Sequence, residues 1–214
     1  MNSQIYRYSN FNWVIETQYG QLDLLNNFLD SNKGVSYNKG LSTSKNSSQY
    51  WFLGKGADYS MNESFTKITK SISKIISNKL NEYNLIDKGI FLKPESSWTV
   101  VGSKGSFHKV HDHGGNFGLC SIIYTKVPEL VDDEDHEGYV YFIMSSDIRS
   151  NVYAAIPKVI DFKPELGKML IFPSHMLHGV YPYADGVRQS FNLDYSVIPL
   201  DVMQRNNQHK YQYD

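Results

Sequence analysis

Apolar and polar positions divide the chain near residue 90. Before it, the clearest pattern is helical: Phe65, Ile68, Ile72, Ile75, Ile76, Leu80 and Tyr83 recur at the helical period, with Ser60 and Glu63 spaced as a capping box. Lys67, Lys70, Lys74 and Lys79 lie largely off that stripe, which suits a solvated outer face on a helix that covers a sheet. A shorter stripe of Leu22, Leu25, Phe28 and Leu29 predicts a packing helix over 21–29. The rest of residues 1–60 is polar, Asn- and Ser-rich and irregular, apart from a candidate strand at Tyr50-Trp51-Phe52-Leu53.

After residue 90 the period shortens. Residues 97–101, 119–124, 139–144, 169–172, 179–181 and 190–197 are β-branched or aromatic runs separated by Gly, Pro, Asp and Asn. Closely spaced strands after a helical part predict an antiparallel sandwich or barrel. The expected organisation is a single domain over 1–214: helical and irregular amino-terminal support over 1–90, a β core over 91–200, and a polar tail over 201–214.

Two histidine-bearing stretches change this picture. On a strand, His111 and His113 point to one face and Asp112 to the other, so two imidazoles can bind one ion without distorting the backbone. Imidazole suits iron, zinc, nickel or copper, so the spacing does not choose the metal. The best third ligand is His178, which follows the apolar run 169–172; His175 competes for that place. In the late strand, Arg188, Ser190, Asn192 and Asp194 share one face opposite Phe191, Leu193 and Tyr195. A polar face there suits a lumen that holds a ligand, and an arginine fork beside a serine hydroxyl suits a carboxylate.

The remaining candidates read more plainly. His108 on a strand would face away from His111. His136 lies in the acidic stretch 132–137, a solvated loop or a lid, and His209 belongs to the tail. Trp98, Tyr124 and Tyr141 are candidate substrate or cosubstrate contacts, with the core as the ordinary alternative. Cys120 reads as a buried, inert thiol. Being the single cysteine, it excludes an intramolecular disulfide and favours a reducing compartment, the cytoplasm. The formal net charge of -1 gives no broad attraction to nucleic acid, and neither a signal peptide nor a run long enough to span a bilayer is evident. A small-molecule substrate is the expected partner, and a homodimer stays open.

These residues resemble the 2-oxoglutarate and Fe(II)-dependent oxygenase superfamily, and most closely its "putative 2OG-Fe(II) oxygenase" branch. The resemblance rests on Trp98, Gly105, His111, His113 and 119–124, then on Gly167, Leu170, Phe172-Pro173-Ser174, His178, Arg188, Ser190 and Asn192. Asp147-Ile148-Arg149 is a partial echo of the branch's Asp-Pro-Arg. The resemblance implies a double-stranded β-helix (jelly-roll, cupin-like) core with flanking helices, and Fe(II) on His111, His113 and His178. It further implies 2-oxoglutarate with its far carboxylate on Arg188, Ser190, Asn192 and Tyr124 beside it, and O2 as oxidant in the hydroxylation of an aliphatic carbon. The chain departs from the superfamily's usual triad in holding His113 where a carboxylate is common. A second register, with His113 first and Gly115 in the carboxylate's place, resembles the family's halogenases. A three-histidine cupin-type dioxygenase or isomerase that does not use 2-oxoglutarate, and a non-enzymatic β-sandwich that binds a ligand, are the other readings.

Overall fold

The computed structural model describes residues 3–37, 44, 46–86, 89–114, 118–128, 136–144, 159–183 and 185–201. The elements are β1 (Gln4–Arg7), β2 (Trp13–Gln18), α1 (Leu22–Ser31), β3 (Val35–Ser36), β4 (Ser47–Gly54), β5 (Ala57–Asp58) and α2 (Glu63–Glu82), then β6 (Ile90–Gly102) and β7 (His108–His111). They continue with β8 (Leu119–Lys126), β9 (Val140–Ile143), β10 (Val159–Phe162), β11 (Lys168–Pro173), β12 (His178–Val180) and β13 (Arg188–Pro199).

From β6 onward the chain passes back and forth between two antiparallel sheets. β6, β8, β11 and β13 lie in the larger one, ordered β1-β2-β11-β8-β13-β6-β4-β3 with β5 on β4; the smaller is β10-β9-β12-β7. Alternation along each strand explains how they pack. Cys120, Ile122, Tyr124, Leu170 and Phe172 meet Val140, Phe142, Phe162 and Val180 in one buried cluster that joins the sheets. The intervening Ile123, Met169, Ile171, Phe191, Leu193 and Tyr195 turn to the opposite face, where Leu25 and Phe28 of α1 and Phe65, Ile68, Ile72, Ile76 and Leu80 of α2 cover them. The result is a mainly β protein with a double-stranded β-helix core and flanking helices, as the strand pattern and the resemblance implied. No helix among the described residues is long and apolar enough to cross a membrane.

Residues 1–90 depart from the helical and irregular support expected of them. They contribute five strands to the larger sheet, and β2 pairs with β11 and β4 with β6. Trp13, Val14 and Ile15 of β2 are all buried, Val14 among the inter-sheet residues and its neighbours under the helices. A strand covered on both faces shows a short continuous apolar run and no alternation, so periodicity cannot find it.

The start of α2 also differs. Asn62, not Ser60, is the N-cap, and its side-chain oxygen accepts from the Phe65 amide at 3.0 Å. Lys67, Lys70 and Lys74 are exposed, as a solvated face requires. Asn62→Ala is expected to cost about 1 kcal/mol of stability in urea unfolding, with Ser60→Ala costing less; the reverse order would return the cap to Ser60.

Candidate metal centre

β7 and β12 are neighbours in the smaller sheet, in a register that sets His111 opposite His178. His178 opens β12 and is buried against Phe142 and Phe172, with ring centroids 5.4 and 5.0 Å away. His113 lies two residues beyond the end of β7, and its amide donates to the Ser174 carbonyl between β11 and β12 at 3.0 Å. The His-x-His pair is therefore brought together by a strand end and a hydrogen bond across to a turn, rather than by alternation on one strand. The ring centroids are 4.4 Å apart for His111 and His178, 5.0 Å for His113 and His178, and 5.5 Å for His111 and His113. One ligand atom from each lies within 4.8 Å of the others.

Every ring has its Nδ1 on an oxygen. His111 Nδ1 is 2.7 Å from the Lys109 carbonyl, His178 Nδ1 2.9 Å from the Met176 carbonyl, and His113 Nδ1 2.6 Å from Asp194 Oδ1. A carbonyl or carboxylate accepts, so Nδ1 donates in each, and in a neutral ring of that tautomer Nε2 carries the lone pair that a metal needs. Burial pushes His178 well below its ordinary range and His111 below it as well, which favours the neutral ring that metal binding needs. A second grouping, His113 with Cys120 and Asp194, lies around the other nitrogen of His113. Burial and Asp194 push the Cys120 thiol well up, so it stays protonated and is a poor ligand.

Asp194 is the residue whose role the sequence did not disclose. Its Oδ1 faces His113 and its Oδ2 accepts from Ser96 Oγ at 2.7 Å, so both oxygens are engaged in a buried setting. His113 stands where the resemblance implied a carboxylate, and the carboxylate of Asp194 lies behind that ring. The signal was present in β13, since Asp194 shares a face with Arg188, Ser190 and Asn192.

Arg188, Ser190 and Asn192 of that face are buried and, together with the three imidazoles, line one cavity that also includes Trp98 and Tyr124. Arg188 Nη1 donates to the Gly138 carbonyl at 2.9 Å, its one hydrogen bond among the described residues, which leaves most of a five-donor fork available. The guanidinium carbon lies 5.8 Å from the Tyr124 ring centre and 5.9 Å from that of Tyr183. The Tyr124 hydroxyl is buried without a partner among the described residues, and burial pushes it up to about 12, so it remains a donor. Asn192 Nδ2 donates to the Trp98 carbonyl at 3.2 Å and to Ser190 Oγ at 3.3 Å, so it ties β13 to β6 while lining the cavity.

Other sequence candidates fall elsewhere. His175 Nε2 donates to Asn12 Oδ1 at 3.1 Å in an exposed position, and His136 pairs with Asp161 at 3.0 Å. Tyr141 packs against Tyr181, ring centroids 4.6 Å apart and tilted by 35°, and is not among the cavity residues. His108 does not face away as strand alternation predicts; it lines the cavity. The reason is a register shift. Val180 pairs with His108 and His178 with His111, so three residue steps on β7 oppose two on β12, and this bulge puts His108 and His111 on one face. Gly115, Asp147-Ile148-Arg149, residues 132–135 and His209 lie outside the described residues.

The double-stranded β-helix thus brings three convergent imidazoles and a buried arginine to one cavity. Residues 96–194 match the family described as "Putative 2OG-Fe(II) oxygenase", a family of oxidoreductases. Solved structures with this fold include a Pseudomonas putida prolyl-4-hydroxylase (12% identity, 86% of this chain and 91% of that one, TM-score 0.55). A Trichoplax adhaerens prolyl hydroxylase in complex with a hypoxia inducible factor peptide fragment is similar at 17% identity, 88% and 84% coverage and a TM-score of 0.57. HygX from Streptomyces hygroscopicus, with nickel and 2-oxoglutarate bound, is similar at 11% identity, 86% and 82% coverage and a TM-score of 0.54. No curated protein matches the sequence.

The buried imidazoles have a consequence for stability. Burial lowers His108, His111 and His178 from the 6.5 of an exposed ring. Between that value and the lower folded values the unfolded chain binds protons that the folded chain does not, so stability rises with pH in that window and falls on acidification. The Tm of metal-free protein should therefore fall from about pH 7.5 to about pH 5.5, more steeply than in His178→Asn; equal slopes would contradict the cost of charging His178.

Proposed function

We propose that this chain is an Fe(II)- and 2-oxoglutarate-dependent oxygenase that hydroxylates an aliphatic carbon of a small molecule or an amino-acid-type substrate. The observation that carries this reading is a single cavity lined both by three imidazoles anchored through Nδ1 and by a buried arginine with unused donors. His111, His113 and His178 would hold the iron through Nε2, a donor set suited to a borderline divalent ion that leaves coordination positions for a chelating cosubstrate. Arg188 would receive the far carboxylate of 2-oxoglutarate through its planar fork, with the Tyr124 hydroxyl, Ser190 and Asn192 beside it. The chemistry such a pair supplies is the four-electron reduction of O2, with two electrons from decarboxylation to succinate and two from the substrate C–H bond.

The protein's own contribution is positional and electrostatic. Phe142 and Phe172 wall His178 and keep water from that side of the site. Asp194 would polarise His113 through Nδ1–H and supply a negative charge one hydrogen bond behind the ion, which imidazole ligands do not supply themselves. The substrate class is supported by breadth among fold neighbours: one is seen with a peptide fragment and HygX is also seen with hygromycin B. In the halogenase register His111 would have no role, yet its ring is the one nearest His178.

Anaerobic addition of Fe(II) and 2-oxoglutarate should give the weak visible charge-transfer band of a chelate, and succinate should form on admitting O2. Absence of both across varied substrates rules the proposal out, while O2 uptake independent of 2-oxoglutarate would put Arg188 on the substrate's own carboxylate. Arg188→Ala should weaken 2-oxoglutarate binding and spare Fe(II) affinity; equal loss of both would remove the role given to Arg188. Asp194→Asn should lower Fe(II) affinity by about 10- to 100-fold while His113 stays in place, and unchanged affinity would mean that the carboxylate only fills space.

A further inference from the structure

One imidazole in the cavity has no place in the metal set. His108 Nε2 is shielded from solvent and has no hydrogen-bond partner among the described residues. A buried polar atom in that state is uncommon in a native protein and points to a group that completes it. The imidazoles close enough to share one ion are His111, His113 and His178, and His108 is not among them. Its ring centre is 6.1 Å from that of His111. The cavity contains two further polar groups with unused donors, the Arg188 fork and the Tyr124 hydroxyl. Gly179 permits this arrangement. A methyl group there would meet the Tyr141 hydroxyl and lie 3.0 Å from the His108 carbonyl, so only glycine lets β12 approach β7 closely enough at the bulge that turns His108 inward.

We propose that His108 is a cosubstrate-binding residue whose Nε2–H donates to the carboxylate received by Arg188, so that Arg188, Tyr124 and His108 hold the anion together. A carboxylate only accepts, so its arrival selects the tautomer with the proton on Nε2 and satisfies the buried ring nitrogen that has no partner among the described residues. This rests on reading the cavity as a 2-oxoglutarate site.

The test titrates 2-oxoglutarate into Fe(II)-loaded protein under anaerobic conditions, following the charge-transfer band, with Fe(II) affinity measured separately. His108→Leu should raise the Kd for 2-oxoglutarate about tenfold or more, the scale of one hydrogen bond to a charged group, and leave Fe(II) affinity unchanged. His108→Gln, which keeps an N–H near the Nε2 position, should recover part of that loss and serves as the test if the leucine variant does not fold. In turnover the loss should appear in the KM for 2-oxoglutarate more than in kcat. An unchanged Kd in both variants overturns the role of His108 while leaving the oxygenase reading intact. A parallel loss of Fe(II) affinity overturns it in favour of a metal ligand. Failure of the unsubstituted protein to bind 2-oxoglutarate removes both readings together.

Discussion

The structure depends on one strand that carries polar side chains into its interior. β13 sends Phe191, Leu193 and Tyr195 to the helices and Arg188, Ser190, Asn192 and Asp194 to the opposite face, all of them buried. Polar groups removed from water need partners, and the way each is satisfied organises its surroundings. Asp194 takes Ser96 and His113; Asn192 takes the Trp98 carbonyl and Ser190. Arg188 takes only the Gly138 carbonyl among the described residues, so the demand left open lies at that end of the strand. A fold that was only a scaffold would have little reason to keep such a face, whereas a cavity for an anion requires it.

The His113–Asp194 hydrogen bond joins the two halves of the site. Asp194 belongs to the larger sheet, while His113 follows a strand of the smaller one, so this contact aligns the imidazoles with the polar strand below them. It also addresses the charge of the centre. A ligating carboxylate would reduce the charge of a bound ion directly; a carboxylate on Nδ1 of a ligating imidazole does so through the ring and fixes its tautomer as well. Three imidazoles with one carboxylate behind them would therefore make an internally consistent donor set for the proposed ion.

Much of the β core was legible before the structure. The apolar runs over 119–124, 139–144, 169–172 and 190–197 fall on β8, β9, β11 and β13, and both helices follow from their apolar stripes. The amino-terminal strands were not legible, because β2 is buried on both faces and has no period to read, and its polar flanks suggest a loop. The cap of α2 moved by two residues because Ser60 and Asn62 both precede Glu63, and local spacing does not choose between two good capping residues.

The chemistry divides along the same line. Residue types and spacing alone bring out His111, His113, His178 and the polar face led by Arg188; for that face the reason is a strand's two-residue period, which is local and survives in the sequence. The tertiary structure decided what depends on how strands meet. The bulge between β7 and β12 puts His108 in the cavity against its apparent parity, and the turn before β12 holds His113 after its strand has ended. The crossing of the chain from one sheet to the other sets Asp194 behind a ring 81 residues away in sequence. Register and sheet crossing are set by packing between distant segments, which local pattern does not encode.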